Sequence, residues 1–146
     1  MDFENKLKDL HIIACDFDGT LCESAYPDIG KARDDVICYI QSRRCFGDKV
    51  ILWTCRTGKL LDEAVEWCKE HGLIFDAVNE NLPEMIELFG GDTRKIFAHE
   101  YFDDKAVMAT RDADWDEIGR VLCNMRVLRR VENTYEDILK SLFSVG

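Results

Sequence analysis

Positive charge is scarce in this sequence: 19 Lys and Arg stand against 29 Asp and Glu, for a net charge of −10. Affinity for a phosphate backbone or an anionic membrane surface comes from clustered Lys and Arg, so neither nucleic acid nor membrane is an expected partner. Long apolar runs are missing as well, none approaching the ~18 residues that a membrane-spanning helix needs. The first ten residues mix Asp, Glu and Lys and lack the apolar centre of a signal peptide. Paired cysteine motifs are also absent. The seven cysteines are odd in number and show no C-x-x-C spacing, which argues against a zinc knuckle. Without a secretion signal, a reducing cytoplasm is the expected location. No internal repeat and no low-complexity segment interrupts the chain.

What is present is one domain's worth of chain, 146 residues with 47% hydrophobic and 33% charged positions. That is enough to bury a core. Residues 12–15, 49–54, 73–78 and 95–102 read as strands, and residues 31–44, 60–71 and 84–89 as helices. The second helix is the clearest: Leu61, Ala64, Val65 and Cys68 recur at helical spacing, and Gly72 stands where a C-terminal cap belongs. Cys38, Cys68 and Cys123 fall on helix patterns, where a cysteine acts as a small apolar residue. Strands alternating with helices imply right-handed crossovers and a doubly wound, Rossmann-like parallel sheet with helices on both faces.

Two further helical patterns follow, over residues 115–130 and 135–143, the second opened by Thr134 and Asp137 at capping-box spacing. One should cover the sheet. The other is either a further core element or a partner surface through which a homo-oligomer could form. Arg126, Arg129 and Arg130 are a basic cluster in an acidic chain, read here as a solvated face that pairs with local acids.

The chemistry is concentrated in residues 11–21, H-I-I-A-C-D-F-D-G-T-L. An apolar run ends abruptly in Asp16 and Asp18 and then a Gly-Thr turn. Side chains two apart on a strand project the same way. Both carboxylates are therefore expected at one point beyond the sheet edge, where a hard cation with oxygen ligands relieves their repulsion. Parallel sheets bind ligands beyond the carboxyl ends of their strands, at the switch in strand order. Thr54 closes the second strand there, and Asp103 with Asp104 the fourth. The bland readings are hairpin punctuation for Asp-Gly, a helix cap for Thr54 and a solvated strand end for the paired Asp. Three strand ends with complementary chemistry favour a site.

Asp-x-Asp-Gly-Thr-Leu after a buried strand resembles the signature of the haloacid dehalogenase superfamily of phosphotransferases. The resemblance continues through Tyr26-Pro27-Asp28-Ile29-Gly30, Leu52-Trp53-Thr54-Cys55-Arg56, residues 61–68, residues 79–83 and residues 101–105. It covers roughly residues 12–115 and is to a small capless bacterial and phage group of hydrolase-like domains. It implies a phosphatase in which Asp16 attacks phosphorus and forms an aspartyl-phosphate. Asp18 would protonate the leaving oxygen and then activate water. Thr54 would hydrogen-bond the phosphoryl oxygens. Mg²⁺ would be held by Asp16, the main-chain carbonyl of Asp18, Asp103 and Asp104.

One part of that pattern is missing, the lysine near the third motif. Residues 79–83 (N-E-N-L-P) contain none. If a regular strand ran from Lys95 to Asp103, at ~3.3 Å per residue Lys95 would lie at the far edge of the sheet. Arg56, Lys59 and Lys105 are closer to the correct end. Arg56 is the preferred substitute, since a guanidinium suits phosphate oxygens; the alternative for it is a surface salt bridge.

The gaps between the motifs hold one loop and one helix, then a helix–strand–helix pass, which leaves no room for a cap domain. An open site admits bulky substrates or is shielded by another subunit, and residues 23–30 are the one local candidate for a lid. The leading reading is a Mg²⁺-dependent phosphatase acting on a small phosphorylated substrate or nucleotide. A nucleotide or polynucleotide phosphatase is a version of it, because Thr-x-Arg after the second strand resembles such enzymes; the negative charge favours small substrates. A receiver-type phospho-acceptor leaves Asp18 without a task. A non-catalytic binding or scaffold protein on the same fold is the third class.

Overall fold

Four apolar residues in a row have no polar face, so the strand they form must be covered on both sides. β1 (Ile12–Cys15) is such a strand, and all four of its residues are buried. The structure, a computed structural model, describes Asn5, residues 7–106 and residues 133–143. It divides into two compact units, Met1–Ala106 and Val107–Gly146. In the second unit residues 133–143 are helical, in keeping with the pattern expected over 135–143. The expected helix over residues 115–130 and its Arg126, Arg129 and Arg130 lie outside the described residues.

The first unit runs β1, α1 (Asp34–Cys45), β2 (Lys49–Leu52), α2 (Gly58–Glu70), β3 (Ala77–Val78), α3 (Pro83–Phe89) and β4 (Glu100–Phe102). The strands form one sheet in the order β3-β2-β1-β4, and every pairing is parallel. Side chains alternate between two cores, as a strand buried on both faces requires. Ile13 and Cys15 join Val50, Leu52 and the α1 and α2 residues Val36, Ile37, Ile40, Ala64 and Cys68. Ile12 and Ala14 join Ile51, Ala77, Leu82 and Met85 of α3 on the other face. The fold is thus the expected α/β arrangement, with helices on both faces. Among the described residues no separate cap domain is present.

The strands are shorter than the sequence suggests. β3 loses residues 73–76. Leu73 N–H instead closes the end of α2 by donating to the Cys68 carbonyl (2.8 Å), and Gly72 takes φ +80° as a C-terminal cap must. Asp76 then substitutes a side chain for the ladder, its carboxylate accepting from Val50 N–H (2.8 Å). β4 loses residues 95–99 because the fully buried Asn81 holds that stretch elsewhere. Its amide accepts from Phe97 N–H (2.7 Å) and donates to Asp92 (2.7 Å) and Thr93. Among the described residues no helix is long and apolar enough to cross a membrane.

Candidate active site

Register decides what meets at the sheet edge. Cys15 pairs with Leu52 on one side and Phe102 on the other, and Leu52 pairs with Val78. The residues just beyond are Asp16, Trp53, Asp103 and Asn79. Strand order reverses between β1 and β4, since β2 and β3 extend one way and β4 lies on the other side of β1. That is the crevice where open parallel sheets bind ligands. Asp16 N–H donates to the Phe102 carbonyl (3.0 Å) and Trp53 N–H to the Cys15 carbonyl (2.8 Å), carrying both ladders one step past the strands.

Asp16, Asp103 and Asp104 bring carboxylate oxygens within 4.8 Å of one another. Burial pushes the Asp16 carboxyl up to about 6, helped by the neighbouring Asp103 and Asp104 charges and opposed by a hydrogen bond from the Phe17 backbone. Thr20, itself buried, bridges the group. Its hydroxyl donates to Asp16 Oδ2 (3.4 Å) and accepts from Asp104 N–H (3.1 Å). Gly19 sits at φ +82° with its backbone against the Asp104 carboxylate; a Cβ there would lie 2.9 Å from Asp104 Cγ. The turn after β1 is therefore pressed onto the end of β4. Three clustered carboxylate oxygens around a desolvated Asp are a hard, anionic donor set, and they fit Mg²⁺.

Asp18 departs from expectation. Its side chain does not join the cluster. The strand ends at Cys15, and the chain turns at once, Thr20 and Leu21 N–H both donating to the Phe17 carbonyl. Period-two alternation stops before position 18. Both Asp18 oxygens instead accept from Arg56, Nε–Oδ2 2.8 Å and Nη2–Oδ1 2.7 Å. Arg56, the sequence's preferred phosphate-facing cation, is turned to Asp18 and is not the surface ion pair that was its alternative. It is 1% exposed, and it also donates to the carbonyls of Pro27 (3.0 Å) and Asp28 (2.9 Å). The rings of Phe17 and Tyr26 lie 5.1 and 5.2 Å from its guanidinium carbon.

Thr54 follows Trp53 just past the end of β2, and its hydroxyl oxygen accepts from Arg56 N–H (3.2 Å). Asn79 fixes this turn and has no counterpart in the sequence reading. Its side-chain oxygen accepts from Thr54 N–H (2.8 Å) and its amide donates to the Arg56 carbonyl (3.3 Å). It does so from the left-handed region, φ +52°, which Asn tolerates better than most residues. The available signal was an Asn directly after an apolar strand.

The lysines differ in position. Lys59 pairs with Glu63 on α2 and is 89% exposed. Lys105 Nζ lies 3.5 Å from Asp104 Oδ2, against the cluster. Lys95 is not on a regular strand, and its ammonium lies 5.3 Å from the centre of the Tyr101 ring on β4. A groove of about 550 Å³ between residues 27–29 and α2 is lined by Asp28, Glu63, Glu66, Glu70 and Trp67 among others, and by none of the three clustered aspartates. Four acids make it a poor phosphate site.

No family model matches the chain, and no curated protein matches it. A solved structure of a conserved protein from Bacteroides thetaiotaomicron is similar to it, at 36% sequence identity over 80% of this chain and 92% of that chain, with a TM-score of 0.61.

Proposed function

The chain belongs to the same family as the conserved Bacteroides thetaiotaomicron protein, and we propose that it is a Mg²⁺-dependent phosphatase acting through an aspartyl-phosphate on Asp16. The observation that carries this reading is the convergence of Asp16, Asp103 and Asp104 at the strand-order switch. It is joined by the resemblance of Asp-x-Asp-Gly-Thr-Leu to the haloacid dehalogenase signature. Asp16 attacks phosphorus while the ester oxygen departs with a proton carried by Asp18 on a lone pair that the Arg56 contacts leave free, each carboxylate oxygen having two. Water then attacks the acyl-phosphate, returning its proton to Asp18 and releasing inorganic phosphate and free Asp16. Thr54 donates its hydroxyl hydrogen to a phosphoryl oxygen. Asp16, Asp103, Asp104 and the Asp18 carbonyl would hold Mg²⁺, which when bound neutralises charge on nucleophile and phosphoryl group. Lys105, whose ammonium lies 3.5 Å from Asp104 Oδ2, is the sequence candidate best placed to steady the phosphoryl charge.

Small phosphorylated metabolites or nucleotides suit the net charge of −10 better than polymers do. The six described cysteines are all free thiols, which fits a reducing, cytoplasmic setting. Hydrolysis of p-nitrophenyl phosphate tests the reading. Turnover is expected with Mg²⁺, and its loss in EDTA and in Asp16→Asn. Metal-independent turnover, or full activity in the variant, contradicts it; a protein inert with every phosphate ester tried points instead to a binding protein on this fold.

A further inference from the structure

Arg56 is a buried cation, 1% exposed. Buried charges are stable only when paired and hydrogen-bonded. Here two parallel N–H groups grip the Asp18 carboxylate, which fixes the plane of that carboxylate as well as its position. The remaining contacts go to the tip of loop 23–30, through the carbonyls of Pro27 and Asp28 and the ring of Tyr26. That loop is closed at its base. Glu23 N–H donates to the Lys31 carbonyl (2.8 Å), and Gly30 packs against the Glu23 carbonyl so closely that a Cβ there would collide with it. A single guanidinium thus joins the end of β2, the turn after β1 and the tip of the loop beside the site.

We propose that Arg56 is the positioning residue of Asp18 and the clasp of loop 23–30, setting the orientation of the acid–base carboxylate instead of binding phosphate. The acid–base half rests on the phosphatase reading; the clasp does not. A phosphate that recruited Arg56 would have to compete with a bidentate carboxylate and two carbonyls already in place. Loss of Arg56 therefore disturbs proton transfer and the loop together and leaves the phosphate subsite intact.

The test compares wild type, Arg56→Gln, Arg56→Lys, Asp18→Asn and the Arg56→Gln/Asp18→Asn pair, by p-nitrophenyl phosphate kinetics with Mg²⁺ and by amide hydrogen exchange. Misorienting a catalytic group by about 1 Å costs roughly 10²-fold, so kcat of Arg56→Gln should fall by about that factor while KM and inhibition by inorganic phosphate hold. Lysine should not restore it, because an ammonium is a point charge and not a fork. The double variant should be no slower than Asp18→Asn alone. A raised KM, weakened phosphate inhibition and costs that add in the double variant would place Arg56 on phosphate and overturn the proposal. In exchange, amides of residues 23–30 should lose protection in Arg56→Gln while β1 and β2 keep theirs; an unchanged loop overturns the clasp. If Arg56 variants unfold, Asp18→Asn, which nearly keeps the side chain's shape, supplies the same readout, with faster loop exchange expected and unchanged exchange contradicting it. A wild type without turnover removes the phosphatase reading, and the exchange result then decides the clasp alone.

Discussion

Asp16 lies against Asp103 and Asp104, and its carboxyl is pushed up from 3.8 to about 6, chiefly by burial. A raised native pKa means that the folded protein favours the neutral acid. The stability this contributes is complete below about 3.8 and is lost as pH rises through about 6. At neutral pH the metal-free protein thus carries an ionised Asp16 at a cost. Asp16→Asn cannot ionise, so in EDTA it should melt higher than wild type. The gap should open between pH 4 and 6 and stay constant above. The rise from 3.8 to about 6 corresponds to about 3 kcal/mol. Because Asp16 is only partly buried, solvent screening should leave about 1 kcal/mol of it, roughly 4 °C for a unit of this size. Calorimetric melts of both proteins across that range check it. A variant that melts lower at neutral pH would show that Asp16 is not a strained residue. Cys15 is buried beside this site, and its thiol is also pushed up, mainly by burial, so it is an inert filler and not a second nucleophile.

Among the elements, β1 and α2 were legible because their signals are local: an uninterrupted apolar run, a helical stripe, a capping glycine. The ends of β3 and β4 were not. Those boundaries are set by Asp76 reaching Val50 and by Asn81 reaching Phe97, contacts between residues distant in sequence that periodicity cannot register. The same holds for Arg56 and Asp18, whose pairing spans 38 positions. Two residues of identical spacing therefore split between two tasks, Asp16 in the cluster and Asp18 on Arg56. The turn between β2 and α2 depends on Asn79, which makes it the element-scale test. Asn79→Ala orphans Thr54 N–H and places a Cβ residue without side-chain compensation at φ +52°. It should cost about 1–3 kcal/mol and raise KM for a phosphate ester by displacing Thr54. Asn79→Gly relieves the backbone and should recover part of the stability but not the KM. Denaturant melts and kinetics on both variants separate the two effects; equal KM in all three proteins would show that Asn79 does not hold the site.

For the whole molecule, topology does what no single motif can. Two crossovers in one direction and a third to the other side of β1 bring the ends of β1 and β4 together, so that an acidic turn and an acidic strand end 85 or more residues apart in the chain share one crevice. The opposite end of the sheet is built for anchoring. There Glu100 accepts from Arg43 and His11, which hold its carboxyl down at about 2, and Arg43 also grips Asp48 (2.6 Å). One end of the sheet stores repulsion between like charges and the other satisfies unlike ones, an asymmetry in keeping with a functional site at the first. The central claim is that Asp16 becomes covalently phosphorylated. Its most direct test is to quench turnover of a phosphate ester with borohydride, which reduces an acyl-phosphate to an alcohol, and to sequence the peptides by mass spectrometry. Homoserine at position 16, absent without substrate and absent in Asp16→Asn, is the predicted result. Sustained Mg²⁺-dependent turnover with Asp16 recovered unmodified would contradict it.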